Sequence, residues 1–107
     1  MSITQWSPKQ LQQRLSEGSP VLLLDVREAK EFAYAAIENS VHIPLGLLPA
    51  RYQELDKNQD IVAICHHGMR SMQACAFLQQ KGFEQLYNLH GGIDAWSLNC
   101  DISVPRY

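Results

Sequence analysis

The sequence has no long apolar segment and no excess of basic residues. Apolar stretches such as residues 21–24 and 61–65 are far shorter than the roughly 20 residues that a helix needs to cross a membrane. We also find no apolar signal segment at the N-terminus. The 9 basic and 11 acidic residues give a net charge of −2, which excludes a broad basic surface for nucleic acid. We therefore expect no membrane and no nucleic-acid partner, although a small local anion site is compatible with this charge.

The cysteines are too few, and odd in number, for a disulfide framework. Three of them, Cys65, Cys75 and Cys100, lie in a chain of 107 residues. Unpaired thiols are typical of a reducing compartment, so we expect a soluble cytoplasmic protein. A chain of this length is too short for two independent cores, and 46% apolar residues suffice for one. The sequence thus predicts one domain over residues 1–107, monomeric and without a cofactor.

Three apolar runs and a helical segment predict an α/β domain. Residues 21–24 and 61–64 are uninterrupted runs of strand length, and residues 85–89 form a weaker third. Continuous rather than alternating runs are typical of parallel strands that are buried on both faces. Between the last two strands, residues 71–81 predict a helix that ends at Gly82. Such a strand–helix–strand unit favours a three-layer domain, with a mostly parallel central sheet flanked by helices on both faces.

An earlier helix is predicted by its start and stop signals. Ser7 is a candidate N-cap, Pro8 suits the first helical position, and Gln10 closes a capping box. Gly18 fits just beyond the end of this helix.

The segments that follow the predicted strands hold the most unusual residues of the chain. In open α/β folds, ligands bind at the edge where parallel strands end. The three segments concerned are residues 25–27, 65–70 and 90–92. We therefore expect them to meet at one edge and to form the functional site.

The segment Cys65-His66-His67-Gly68-Met69-Arg70-Ser71 lies between a predicted strand and a predicted helix. Successive backbone N–H groups in such a turn form an anion-binding nest, to which the helix N-terminus adds unpaired donors and a positive dipole end. Gly68 provides a residue that is free to adopt positive φ. A thiolate is stabilised in this setting, which predicts a nucleophile beside a bound anion. The alternative is that Cys65 is a small core residue at a strand end.

The same segment resembles the active-site loop of rhodanese-like domains, Cys-x-x-Gly-x-Arg-Ser. Two further segments resemble the family in order and spacing. Leu24-Asp25-Val26-Arg27, followed by Glu31-Phe32 and His42-Ile43-Pro44, is similar to its Asp-x-Arg, Glu-Phe and Asn/His-Ile-Pro pattern. Residues 87–96 are similar to its closing Tyr-x-Leu-x-Gly-Gly-x-x-Ala-Trp. The resemblance extends over nearly the whole chain, and the motifs together are specific.

The resemblance implies sulfur transfer. In the family, a loop thiolate attacks the outer sulfur of a donor such as thiosulfate and releases sulfite, and the cysteine persulfide then passes its sulfur to a thiol or to cyanide. This implies Cys65 as the catalytic residue, with a small anionic sulfur donor and a sulfur-relay protein as candidate partners. The residues implied to bind the substrate are His66, His67, Gly68, Met69, Arg70 and Ser71.

The sequence departs from the family at positions that affect the substrate. Members that use thiosulfate well often have Arg or Lys where this chain has His66 and Met69. Met69 has no charge, and a histidine is only partly protonated at neutral pH. We therefore expect thiosulfate to be a poor donor and a persulfide to be preferred. The family's Gly-His-Ile is Ala35-Ala36-Ile37 here, so a role of that histidine is not carried over.

Two other functions stay open at this point. Cysteine phosphatases use Cys-x5-Arg, and the spacing from Cys65 to Arg70 is one residue shorter, which makes phosphatase or arsenate reductase activity the less favoured alternative. The other is a non-enzymatic protein-binding or sulfur-relay module, against which the presence of Cys65 argues.

The remaining polar residues have mainly structural interpretations. Arg70 either binds the substrate anion or pairs with Asp25 or Glu31 and shapes the loop. The residues expected to support the scaffold are Asp25, Arg27, His42 and His90. No second Cys or His lies at zinc-ribbon spacing from Cys65, so no metal is expected.

The other two cysteines and the tryptophans lie outside the predicted site. Cys75 falls on the apolar face of its helix and is predicted to be core. Cys100 is either a resolving thiol or without a role. Trp6 and Trp96 are predicted to pack in the core.

Overall fold

The structure, a computed structural model, describes residues 3–107. Within these residues five strands form a sheet with the order β1-β5-β4-β2-β3. The strands are β1 Thr4–Trp6, β2 Val21–Asp25, β3 Val41–His42, β4 Asp60–Ile64 and β5 Leu86–Leu89. Every neighbouring pair is parallel, which confirms the predicted parallel sheet.

Helical segments connect the strands. The helices are α1 Pro8–Ser16, α2 Ala29–Tyr34, α3 Leu48–Arg51, α4 Met69–Gln80 and α5 Gly92–Asn99, and two single 3-10 turns are Leu45–Leu47 and Tyr52–Glu54. The longest helix, α4, has 12 residues. Across residues 3–107, no helix is long and apolar enough to cross a membrane.

The central strand β4 divides two apolar layers. Ile61 and Ala63 pack with α3 and α4, whereas Val62 and Ile64 pack with α1 and α5. All four side chains are fully buried, because alternate residues of a strand point to opposite faces and both faces are covered by helices. This confirms the predicted three-layer α/β architecture.

Local signals correctly predicted two helix ends. The Gln10 N–H donates to Ser7 Oγ at 3.1 Å and the Ser7 N–H donates to Gln10 Oε1 at 2.7 Å, so the capping box of α1 is complete. Gly82 follows α4 with a φ of +91°. The start of α4 differs from the prediction: it begins at Met69 rather than Ser71, because Gly68 is the N-cap residue.

The parallel register aligns the C-terminal ends of the strands. Asp25 pairs with both His42 and Ile64, and Ala63 pairs with Asn88. The segments that follow β2, β4 and β5 therefore meet at one edge, as predicted, and Cys65 lies just beyond the end of β4.

Candidate active site

Cys65 lies in a turn that directs a backbone donor at its sulfur. The Gly68 N–H donates to Cys65 Sγ at 2.9 Å, and Ser71 Oγ lies 3.3 Å from the same sulfur. Gly68 has a φ of +108°, where an L side chain is strained, and the first N–H groups of α4 have no intrahelical partner. Cys65 is 1% exposed and packs in the apolar layer of α4. Cys65 therefore packs in the core and also accepts a hydrogen bond at its sulfur, and its role as the nucleophile stays a prediction.

The N-terminus of α5 holds the carbonyl groups of the same turn. The Ile93 N–H donates to the Cys65 carbonyl at 2.9 Å, and the Asp94 N–H donates to the His66 carbonyl at 3.2 Å. A Cβ atom at Gly92 would lie 2.3 Å from the His66 carbonyl oxygen, so this approach requires a glycine. Because α5 binds these two carbonyls, they are occupied away from the sulfur, to which the Gly68 N–H donates.

Arg70 pairs with Glu31 rather than Asp25. Its two terminal nitrogens donate to the two carboxylate oxygens of Glu31 at 2.7 and 2.9 Å, a bidentate pair that ties the Cys65 turn to α2. The hydrogen bonds to Arg70 hold the pKa of Glu31 well below its usual value, and those to Glu31 raise the pKa of Arg70. The charge of Arg70 also interacts with Cys65, so the guanidinium shapes the turn and contributes positive potential at the sulfur.

Asp25 and Arg27 form a second pair beneath the turn. Arg27 Nη2 donates to Asp25 Oδ2 at 2.6 Å and also to the Ala35 carbonyl, and both charged side chains are fully buried. The ring of His42 stacks on Phe32, and its Nε2 lies 2.7 Å from the Arg27 carbonyl oxygen. These contacts confirm the scaffold interpretation of Asp25, Arg27 and His42.

Tyr107, which the sequence analysis did not consider, lies over the turn. Its ring stacks on His66 with centroids 3.9 Å apart and contacts Tyr34 edge-on. Its hydroxyl donates to Glu31 Oε2 and accepts from Arg27 Nη1, each at 2.8 Å. One phenol therefore links both arginine–carboxylate pairs.

His66 has an unexpected electrostatic environment. Burial lowers its pKa and the neighbouring His67 lowers it further, whereas Asp94 and the backbone of Tyr107 act in the opposite direction without cancelling the shift. His66 therefore carries less positive charge near neutral pH than an ordinary imidazole does. The side chain of His67 is 65% exposed and lies 3.8 Å from Asp94.

His66, His67 and Asp94 bring potential metal-ligand atoms within 4.8 Å of one another. The two imidazole rings lie face to face, 3.9 Å apart with a 32° tilt, so their in-plane lone pairs do not converge on one point. The Asp94 carboxylate is already paired with Arg106 at 2.9 Å. We therefore do not assign these residues as metal ligands.

Asn88 is a buried polar residue of the site that sequence analysis missed. It is 2% exposed in β5, and its Oδ1 accepts a hydrogen bond from Ser71 Oγ. Its Nδ2 donates to Gln5 Oε1 at 2.9 Å and to the Gly68 carbonyl at 3.3 Å. A polar residue in the middle of an otherwise apolar strand was the signal available in the sequence.

The two other cysteines and both tryptophans lie outside the cysteine turn, as predicted. Cys75 is fully buried, and burial raises the pKa of its thiol to about 12. Cys100 is half-buried, and burial raises its pKa as well. Trp6 and Trp96 pack in the apolar layer of α1 and α5.

His90 differs from the expectation that its side chain supports the scaffold. The side chain is exposed, and only its backbone N–H has a structural role among the described contacts, donating to the Trp6 carbonyl at 2.8 Å.

The fold and the turn together define the class of this protein. It is a parallel α/β protein with a cysteine at the carboxyl edge of its sheet, where a main-chain N–H at the start of a helix donates to the sulfur. Such an arrangement stabilises negative charge on the sulfur or on an anion next to it.

Comparison with known proteins identifies the family. The model of the rhodanese-like domain matches residues 7–99, and the chain belongs to this family. A protein of Allochromatium vinosum named sulfurtransferase is 44% identical over 87 residues, which cover 81% of each chain. The thiosulfate sulfurtransferase GlpE of Actinobacillus pleuropneumoniae is 30% identical over 95 residues, 89% of this chain and 87% of its own. The crystal structure of a rhodanese-like domain protein from Staphylococcus aureus superposes with a TM-score of 0.85 at 28% identity, over 98% of this chain and 99% of that one.

Proposed function

We propose that the protein is a single-domain cytoplasmic sulfurtransferase in which Cys65 forms a persulfide. The observation that carries this proposal is the Gly68 N–H directed at Cys65 Sγ within a turn that ends at a helix start. The relatives named sulfurtransferase, which match most of the chain, support the same activity.

The reaction consists of two displacements at sulfur. The Cys65 thiolate attacks the outer sulfur of the donor; with thiosulfate, the S–S bond of the donor breaks and sulfite leaves with the electron pair. An acceptor thiolate or cyanide then attacks the outer sulfur of the persulfide, and Cys65 leaves as a thiolate. No oxidant or reductant is consumed, because the sulfane sulfur keeps its oxidation state.

The turn binds the donor anion mainly through its backbone. Residues 66–71 supply the N–H groups, and Arg70 adds positive potential while its two terminal nitrogens each donate one hydrogen bond to Glu31. Met69 is 78% exposed and uncharged, and burial lowers the pKa of His66. Little side-chain charge is therefore available for the dianion thiosulfate, which favours a persulfide donor, either a small molecule or a relay protein.

Mass spectrometry tests the proposal directly. Incubation with a persulfide donor is expected to add about 32 Da to Cys65, and a thiol acceptor is expected to remove it. Cys65→Ser should abolish both the adduct and turnover. Cys100→Ser is the matched control, since Cys100 is a second partly accessible thiol, and it should retain both. An adduct on Cys100 alone, or turnover by Cys65→Ser, would refute the proposal; tight capture of one protein without any turnover would favour a binding module.

A further inference from the structure

The hydrogen bonds of Asn88 determine which way its amide faces. The Gly68 carbonyl oxygen can only accept, so the amide atom 3.3 Å from it must be the nitrogen. The same nitrogen donates to Gln5 Oε1 at 2.9 Å. Oδ1 therefore faces Ser71, and the amide orientation follows from a main-chain group of unambiguous chemistry.

The orientation of Asn88 in turn determines the role of Ser71. An amide oxygen only accepts, so the hydroxyl of Ser71 must donate its hydrogen to Asn88 Oδ1. A hydroxyl has one hydrogen, and none remains for the sulfur. Towards Cys65 Sγ, 3.3 Å away, Ser71 Oγ can therefore only accept a hydrogen bond.

The sulfur of Cys65 thus has two contacts with opposite effects. The Gly68 N–H donates to it and favours the thiolate. Ser71 Oγ accepts from it and favours the thiol, because the lone pairs of the hydroxyl would face a negative sulfur. Both Ser71 and Asn88 are buried, so water does not readily replace either partner.

We propose that Asn88 is a positioning residue that holds the hydroxyl hydrogen of Ser71 away from Cys65, so that Ser71 presents its lone pairs rather than a donor to the resting sulfur. When Cys65 loses its proton to solvent, the Ser71 hydroxyl rotates to donate to the thiolate, and its bond to Asn88 Oδ1 breaks. Asn88 therefore opposes formation of the attacking thiolate. This inference rests on the proposed function only in taking Cys65 as the nucleophile.

Charged and titratable groups from several elements also face this part of the site. They are Arg70 of α4, Glu31 of α2, His66 and His67 of the turn, Asp94 of α5, Tyr107, and the Asp25–Arg27 pair at the end of β2. None of them contacts Asn88 in a hydrogen bond of this network, so a change at Asn88 leaves their pairings in place.

The test measures the pH dependence of Cys65 alkylation by iodoacetamide, followed on the Cys65 peptide in a Cys100→Ser background. Asn88→Ala frees the hydroxyl of Ser71 to donate to the thiolate. We expect the midpoint of the profile to fall by about 0.5 to 1 pH unit, and the rate well below the midpoint to rise about threefold to tenfold. An unchanged or raised midpoint would overturn the proposal.

Two further variants separate this effect from a disturbance of the turn. In a Ser71→Ala background, Asn88→Ala should no longer shift the midpoint, because the hydroxyl is absent; a shift that persists there contradicts the proposal. Asn88→Asp keeps an acceptor for the Ser71 hydroxyl but loses the donor to the Gly68 carbonyl. The midpoint of the alkylation profile should therefore not fall in this variant, and a fall would also contradict the proposal. Should Asn88→Ala fail to fold, Asn88→Asp still provides this test.

Gln5→Ala is the matched control, since it removes a partner of Asn88 but leaves the Gly68 contact that orients the amide. It should leave the midpoint unchanged, and a shift as large as that of Asn88→Ala would count against the proposal. Alkylation requires no sulfur transfer. A shifted midpoint together with no persulfide on Cys65 would therefore refute the proposed function and leave this inference intact.

Discussion

Two arginine–carboxylate pairs lie at the same edge of the sheet and differ in their exposure to water. Asp25 and Arg27 are both 0% exposed, whereas the side chains of Glu31 and Arg70 are 14% and 34% exposed. The buried pair joins β2 to the segment after α2, and the outer pair joins α2 to the cysteine turn. Because the inner pair is shielded from water and the outer pair is partly exposed, we expect the inner pair to maintain the fold and the outer pair to adjust the site.

Breaking the inner pair should have the largest effect. Arg27→Met leaves the carboxylate of Asp25 buried without its cation, and we expect a loss of about 3–5 kcal/mol in the free energy of unfolding, measured by urea denaturation. The double variant Asp25→Leu/Arg27→Met removes both charges and should recover much of that loss. If Arg27→Met lowers the free energy of unfolding no more than Arg70→Met does, the distinction between an inner structural pair and an outer adjusting pair is wrong.

Breaking the outer pair should change activity more than stability. Glu31→Gln removes the negative charge beside Arg70. Because the pair is partly exposed, we expect the free energy of unfolding to fall by at most about 1 kcal/mol. The freed charge of Arg70 should lower KM for thiosulfate about threefold to tenfold, in steady-state assays. Glu54→Gln, which breaks the exposed pair with Arg51, is the control and should leave KM unchanged. An unchanged KM in Glu31→Gln would show that Arg70 only holds the conformation of the turn and does not attract the donor anion.

The outer pair also predicts how stability depends on acid. The folded-state pKa of Glu31 is lowered, chiefly by its hydrogen bonds to Arg70, so the unfolded chain binds this proton more tightly. The stabilisation by Glu31 is therefore fully present above the unfolded value of 4.5 and declines as the pH falls below it. The stability difference between the wild type and Glu31→Gln should shrink from pH 5 towards pH 3 in urea titrations. A difference that stays constant over this range would contradict the pairing.

Tyr107 connects the two pairs, and removal of its hydroxyl should have only a modest effect on stability. Tyr107→Phe loses the hydroxyl that contacts Glu31 and Arg27 but keeps the ring on His66. We expect the free energy of unfolding to fall by about 1 kcal/mol. The pKa of His66 should remain low, because the ring still covers the imidazole. Tyr107→Ala exposes the imidazole and should raise the pKa of His66 towards its ordinary value, as measured by NMR titration. Equal His66 titration in both variants would show that the ring does not bury it.

The sequence predicted the features that depend on neighbouring residues. The capping box of α1, the runs that became β2 and β4, and the glycine in the cysteine turn are all local signals. The edge strands β1 and β3 were missed because three and two residues are too short to show a periodic pattern. The resemblance to a family identified the loop, but the physical reason for its closing glycine pair became visible only when α5 was placed against the turn.

The contacts that complete the site are distant in sequence. Ser71 meets Asn88 across 17 positions, Arg70 meets Glu31 across 39, and Arg27 meets Tyr107 across 80. From the sequence alone, both Asp25 and Glu31 are candidate partners of Arg70, because no local rule distinguishes two carboxylates on neighbouring segments. In the structure Asp25 is taken by Arg27, two residues further along the chain, and the position of α2 brings Glu31 to Arg70.

The way in which α5 holds the turn has a consequence for how selectivity evolves. Because backbone groups bind the carbonyls of Cys65 and His66, the shape of the turn depends little on its outer side chains. His67 and Met69 point outward, with 65% of the His67 side chain and 78% of Met69 exposed. Positions 67 and 69 are thus free to diversify in charge and size, and a library randomised at these two sites explores new donors on an unchanged scaffold.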